Sequence, residues 1–425
     1  MSLLMIPGPI EISAAVAAAC AGPPPSHLAP AILEAFGSSL EKLRRVWLAA
    51  PSAQPFVLPG SGSIAMEVAA TNLLDPGAAA LVVNTGYFSE RMAEMLRRRG
   101  VEVTLVGAAP GDAPTTEAVA AALASRQHHA LFATHVDTST GVRTDAAALA
   151  KVARDAGVLS VFDGVCATAG EAFEMAAWDA DIYLTASQKA IGLPAGLALL
   201  VASERAMKAR EALKVAPPLS LDLLSWLPIM RAYEERKPSY FATPPTTLIR
   251  ALPVALDEIL AAGMPARFAL HARAAGAMRS AWAALGLRLL PKSEGLAANT
   301  LSAIFWPEGA GPEVLAEIGK RGVIVAGGLL PALRTQYFRV GHMGDVLNRP
   351  EALTATVRAI GESLAAAGIA ATWPRGVCAR ARSRELRVAA TLSTCDRLDA
   401  YVSRASSREP SCTSLARLVG SSRCS

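Results

Sequence analysis

Cysteine is scarce where the chain reads as folded: residues 1–370 hold only Cys20 and Cys166, and the other four, Cys378, Cys395, Cys412 and Cys424, lie beyond. Two cysteines so far apart exclude a disulfide framework and a close-spaced metal cluster, and they fit a reducing compartment. A secretory leader is not expected either. The opening MSLLMIPGPIEI has no positive segment and meets Pro7, Gly8 and Pro9 too early for an apolar signal core. Residues 12–33 lack Lys, Arg, Asp and Glu, yet Pro23, Pro24 and Pro25 interrupt them, so no membrane span is expected. The formal net charge of +5 is unevenly placed. From Ala371 onward ten arginines and no lysine face four acidic residues, and this +6 leaves −1 for residues 1–370. The body therefore carries no basic footprint for nucleic acid.

With 425 residues and 52% hydrophobic composition, the chain can bury a large core, divided between one large and one smaller domain. A helix over Glu41–Ala49 and an extended segment from Gln54 to Leu58 lead through Pro59-Gly-Ser-Gly-Ser63 into a helix over Ile64–Leu74. Strands are then expected at Ala80–Asn84, Val101–Val106, Ala130–Thr134, Val158–Phe162 and Ile182–Leu184. Helices at Tyr87–Arg98, Thr116–Ala124 and Asp145–Ala156 alternate with them. Such alternation implies a mainly parallel sheet wrapped by helices, with ligands outside the carboxyl ends of the strands. A long amphipathic helix over Ala266–Leu285, strands at Thr300–Phe305 and Gln336–Val340 and a helix over Pro350–Ala366 follow.

Three features sit where ligands are expected. The amides of Gly62, Ser63 and Ile64 open a helix and, with the Ser61 and Ser63 hydroxyls, suit a phosphate; a tight strand-to-helix turn is the alternative. The segment fits neither the dinucleotide fingerprint nor a P-loop. Asp163 follows the apolar LSVF, which suits either a turn aspartate or a carboxylate facing a cation that is not a side chain. Lys189 ends the stretch DIYLTASQK, where desolvation would turn its ammonium into a usable amine. Together they meet the needs of pyridoxal phosphate: a helix N-terminus for the phosphate, an acid for the ring nitrogen and an amine for the aldehyde.

The motifs TASQKAIGLPAG (185–196), VFDGVCATAG (161–170), THVDTSTGV (134–142), PSYFATPP (238–245) and YFRVGHMG (337–344) extend this reading. With them, over roughly residues 4–368, the chain resembles class V aminotransferases of the alanine–glyoxylate and serine–pyruvate type, most closely the fungal members. The 26-residue interval between Asp163 and Lys189 agrees as well. The resemblance implies a fold type I transferase with a seven-stranded, mainly parallel sheet in its large domain and a small α+β C-terminal domain. The expected limits are an arm over 1–20, a large domain over 21–255, a small domain over 256–370 and a disordered Arg-, Ser- and Cys-rich tail over 371–425.

Carried over by motif, Lys189 matches the cofactor lysine and Asp163 the acid on the ring nitrogen. Ser61, Gly62 and Ser63 fall on the phosphate turn, although mammalian members have a histidine where Ser63 stands. Gln188 matches a further phosphate contact, Thr138 a hydroxyl beside the ring oxygen, and Phe88 or its neighbour Tyr87 the aromatic on the pyridine face. Tyr240 and Thr243 match a pair that reaches the phosphate of the neighbouring subunit, implying a homodimer with shared sites. Arg339 matches the anchor of the substrate α-carboxylate, a geometry that suits a guanidinium. His135, His342 and Met343 are expected to be structural. The implied reaction moves the amino group of L-alanine or L-serine to glyoxylate. No second arginine is placed by a motif for a dicarboxylate. A 2-aminoethylphosphonate aminotransferase and a silent cofactor-binding scaffold are the alternatives. A cysteine desulfurase would want a histidine where Gln188 stands. The final Arg423-Cys424-Ser425 is no recognisable peroxisomal signal, so the expected compartment is peroxisome or cytoplasm.

Overall fold

A computed structural model describes residues 2–369. The expected disordered tail over 371–425 lies outside the described residues. Seven strands make the central sheet: β1 (Gln54–Gly60), β2 (Ala79–Asn84), β3 (Glu102–Gly107), β4 (Ala130–Thr134), β5 (Leu159–Asp163), β6 (Ile182–Ala186) and β7 (Gly196–Ala202). Their order is β1-β7-β6-β5-β4-β2-β3. Strands β3, β2, β4, β5 and β6 are mutually parallel. β7 runs antiparallel to both β1 and β6.

The sheet's composition explains its burial. β4 (ALFAT) and β6 (IYLTA) are buried along their whole length, as parallel strands covered on both faces must be. β7, GLALLVA, is equally apolar and does not appear in the sequence reading; its run carries no alternation, so only pairing with β1 and β6 identifies it as a strand. Helices flank the sheet, among them α1 (Pro30–Val46), α2 (Gly62–Asn72), α3 (Tyr87–Arg98) and α4 (Ala146–Asp155). The helix expected over Glu41–Ala49 is the end of α1, which starts earlier, with Pro30 in its first turn, and buries Ile32, Leu33, Phe36, Leu40 and Leu43 at helical spacing. α2 begins two residues before the expected Ile64, so Gly62 and Ser63 form its first turn. β5 extends through Asp163, which makes the carboxylate the last residue of a strand. The ranges expected for α3 and β4 are those observed.

The C-terminal part has its own core. An antiparallel sheet of β8 (Leu301–Phe305), β9 (Ala326–Gly327) and β10 (Tyr337–Gly341), ordered β8-β10-β9, packs with α5 (Met264–Ala284) and α6 (Pro350–Ala366). Met278, Trp282, Ile304, Phe338, Val340, Leu353 and Ile360 form one buried cluster there, and Met5 joins it from the other end of the chain. Leu3 and Leu4 pair in parallel with Val323 and Ile324, and Gly341 N–H donates to the Met5 carbonyl at 2.7 Å. Beyond Met5 the arm crosses to the large sheet, where Ile10 N–H donates to the Gln188 carbonyl at 3.1 Å. Among the described residues no helix is long and apolar enough to cross a membrane.

Candidate active site

The carboxyl ends of β1, β4, β5 and β6 open on one cavity of about 210 Å³. Ser61, Gly62, Ser63, Phe88, Thr138, Asp163, Gln188 and Lys189 line it, together with Met66, Arg91, Val136 and Val165. A larger, open groove of about 730 Å³ between α1 and the start of α5 holds none of these residues.

Each wall has a local cause. Ser61 precedes α2 in an extended conformation, so the first amides of that helix face the cavity without intrahelical partners. Gly62 is required by space: a Cβ there would stand 2.9 Å from Val165 Cγ2. Lys189 follows β6 and is 8% exposed. Burial pushes its pKa below the usual lysine range; Arg339 adds to the lowering, and Cys166 and Asp163 oppose it. Its Nζ donates to the Pro7 carbonyl of the N-terminal arm. Asp163 accepts from Val165 N–H at 2.9 Å, and burial pushes its pKa up to about 7 against the lowering influence of that bond, Lys189 and Arg91. Gln188 presents a buried Oε1 that has no hydrogen-bond partner.

The second carboxylate below the cavity is structural. Asp137 is fully buried and accepts from the amides of Phe88 (3.1 Å) and Ser89 (3.3 Å), from Ser139 N–H (2.9 Å) and from Ser139 Oγ (2.6 Å). It therefore caps α3 across the fold and fixes which residues of that helix face the cavity. Phe88 lines the cavity, whereas the Tyr87 hydroxyl is hydrogen-bonded to Arg91 Nη2 at 2.7 Å. Arg91 itself was not singled out from the sequence. On a helix rich in charge it reads as a solvated residue, and only its place one turn after Tyr87 and Phe88 hints otherwise.

Arg339 comes from β10 in the other core. Its Nε donates to the Gly327 carbonyl at 2.9 Å and its Nη1 to the Thr138 carbonyl at 3.1 Å, which leaves the Nη1–Nη2 edge for a ligand. Tyr240 and Thr243 do not reach the cavity of their own chain. They lie together at the surface, hydroxyl to hydroxyl at 3.3 Å, with Tyr240 62% exposed. His135 (Nδ1 to Tyr183 Oη, 2.9 Å) and His342 (Nε2 to Ser302 Oγ, 3.0 Å) are buried in packing contacts, and Met343 is buried in the large core.

Comparison with known proteins places the chain in a family. The family model described as aminotransferase class-V matches residues 26–341. The chain is 37% identical over 356 residues to alanine–glyoxylate aminotransferase 1 of Saccharomyces cerevisiae, covering 80% of this chain and 91% of the relative. It is 33% identical over 350 residues to L-aspartate–glyoxylate aminotransferase of Paracoccus denitrificans, covering 81% and 86%. The crystal structure of alanine–glyoxylate aminotransferase from Nostoc superposes with a TM-score of 0.79 at 27% identity, covering 85% of this chain and 95% of that one. The matched family model and the similarity to these relatives over most of their length show that the chain belongs to the class-V aminotransferases, pyridoxal-phosphate-dependent enzymes of fold type I.

Proposed function

We propose that this enzyme transfers the amino group of a small amino acid, L-alanine or L-serine, to glyoxylate, releasing glycine and pyruvate or hydroxypyruvate. The observation that carries the reading is the convergence of Lys189, Asp163 and the first turn of α2 on one small cavity, with Arg339 held at its edge by the Thr138 carbonyl. The residues fit the cofactor: the first amides of α2 with the Ser61 and Ser63 hydroxyls as an anion cradle, the buried carboxylate of Asp163 and the buried amine of Lys189 line one cavity.

Pyridoxal phosphate, when bound, supplies the aldehyde that takes up the amino group and a ring that withdraws electrons from the substrate Cα. Asp163 would hold the proton on the ring nitrogen, an interaction that its dry surroundings would strengthen. Ser61, Gly62, Ser63 and Gln188 would bind the phosphate, with Thr138 and Phe88 as the hydroxyl and the aromatic available to the ring. Lys189 would serve as the base that takes the proton from the substrate Cα and the acid that returns it. Burial lowers its pKa from the usual lysine range, the direction this role needs.

Arg339 orients the donor and the acceptor alike by their carboxylates, using the Nη1–Nη2 edge that its backbone anchors leave free. The acceptor named for all three similar proteins supports glyoxylate, and alanine is the donor named for two of them. The exposed Tyr240–Thr243 pair belongs, in this reading, to the site of a second copy, making the enzyme a homodimer with two shared sites. The test is a donor competition with glyoxylate as acceptor. Alanine or serine should show the highest kcat/KM, whereas preference for aspartate or 2-aminoethylphosphonate would overturn the donor assignment.

A further inference from the structure

Besides Lys189, the cavity lining contains one cation, Arg91. Its guanidinium makes no ion pair among the described residues. Nη1 donates to Ser63 Oγ at 3.0 Å, Nη2 donates to Tyr87 Oη at 2.7 Å, and the group lies 4.8 Å from the Tyr87 ring centre and 5.3 Å from that of Phe88. A guanidinium held only by hydroxyls and aromatic faces, at the first turn of α2, is poised for an anion that the protein does not itself supply.

A phosphate ester carries between one and two negative charges near neutral pH. The first turn of α2 offers roughly half a positive charge, and Ser61, Ser63 and Gln188 offer none. Lys189 is committed to the opposite, ring-facing chemistry. The remaining charge must come from elsewhere, and Arg91 is already hydrogen-bonded to a residue of the phosphate turn.

We propose that Arg91 is the cation of the cofactor-phosphate subsite, held there by the Tyr87 hydroxyl, with Ser63 as the relay that keeps its Nη1 against the turn. The proposal rests on the cofactor site described above and deepens it. Arg91 thereby reads the phosphate and not a second substrate carboxylate. Its attachment to Ser63 ties the start of α2 and the first turns of α3 into one device. Tyr87 is a positioning residue in this scheme, because it acts through the guanidinium.

The experiment titrates the cofactor-free enzyme, followed by absorbance and by thermal unfolding, with pyridoxal phosphate, with pyridoxal and with inorganic phosphate. For Arg91→Gln the dissociation constant for pyridoxal phosphate should rise about ten- to a hundred-fold, while that for pyridoxal stays within about twofold. Inorganic phosphate should raise the unfolding temperature of the wild type and not of the variant. Arg91→Lys should recover part of the loss, and Tyr87→Phe should show a smaller loss of the same kind, which keeps the test decisive should Arg91→Gln fold poorly. Unchanged affinity in Arg91→Gln and Tyr87→Phe, or an equal loss for pyridoxal, overturns the proposal. If the wild type takes up pyridoxal as tightly as the phosphate ester, both the proposal and the phosphate site fail. If the wild type discriminates but Arg91→Gln does so equally well, only the assignment of Arg91 fails.

Discussion

Arg339 Nη1 and the carbonyl of Thr138 are joined by a 3.1 Å hydrogen bond that ties β10 of the C-terminal core to the wall of the large-sheet cavity. With Nε fixed on Gly327 as well, the guanidinium has lost most of its rotational freedom before any substrate arrives. Preorganisation of this kind reduces the entropy lost on binding.

Replacing Arg339 by Lys keeps the charge and loses the planar fork. The kcat/KM for the amino donor and for glyoxylate should each fall about a hundred-fold or more, on the order of 3 kcal/mol, with KM rising for both. Steady-state kinetics for the two half-reactions checks this. Equal kinetics for Arg339→Lys and wild type would remove Arg339 from substrate binding.

Asp163 should destabilise the cofactor-free protein as pH rises. Its folded pKa is raised to about 7. Below the unfolded value, about 3.9, both states are protonated and nothing is lost; above it the unfolded chain releases its proton first, so folding stability falls until the pH passes about 7. Asp163→Asn, whose carboxamide can still accept from Val165 N–H, should therefore unfold at a higher temperature than wild type at pH 8, both cofactor-free, and at nearly the same temperature at pH 4. Its transamination rate should nevertheless collapse.

Three buried histidines predict the opposite sign on the acid side. His135 and His271 have their pKa values lowered to about 3 and His342 to about 4, chiefly by burial. Such groups contribute stability above the unfolded value of about 6.5 and lose it as pH falls, each by up to about 1.4 kcal/mol per pH unit, until the folded pKa is reached. Urea denaturation of His271→Gln between pH 4 and pH 6.5 should show a shallower pH dependence than wild type. An unchanged slope would show that His271 is not held neutral.

Gly8 is held beside the Lys189 amine with φ near +107°, and a Cβ there would lie 2.5 Å from Lys189 Cδ and 2.8 Å from its Nζ. Gly8→Ala should displace the lysine or the arm and slow the recovery of visible absorbance when cofactor is added to the stripped enzyme. The cost in thermal stability should be modest, on the scale of one strained turn of about 1–2 kcal/mol. A variant that takes up cofactor at the wild-type rate would place the arm farther from Lys189.

The strand ends are legible in the sequence, because strand and helix alternate in a parallel fold and ligands lie at carboxyl ends; that rule draws attention to Asp163 and Lys189, and the surrounding motifs are needed to set them apart from a turn aspartate and a surface lysine. Legibility is poorer wherever long-range pairing decides. β7 shows only a uniform apolar run, and the start of α1 at Pro30 depends on packing against the large core. The approach of Pro7 to Lys189 spans 182 residues and leaves no local pattern. Arg91 carries no local signal, because a helical arginine among other charges looks solvated until Asp137, capping α3, turns its face to the cavity.

The central claim is that Lys189 carries the cofactor and gives it up to a small amino donor. The most direct measurement is the absorbance spectrum of the purified enzyme during addition of L-alanine and then glyoxylate, with Lys189→Ala as control. The wild type should show a band near roughly 400 nm that alanine bleaches and glyoxylate restores, and the control should lack the recovery. A band that persists in alanine and in serine would contradict the proposed donors, and a full bleach-and-restore cycle in Lys189→Ala would contradict the role of the lysine itself.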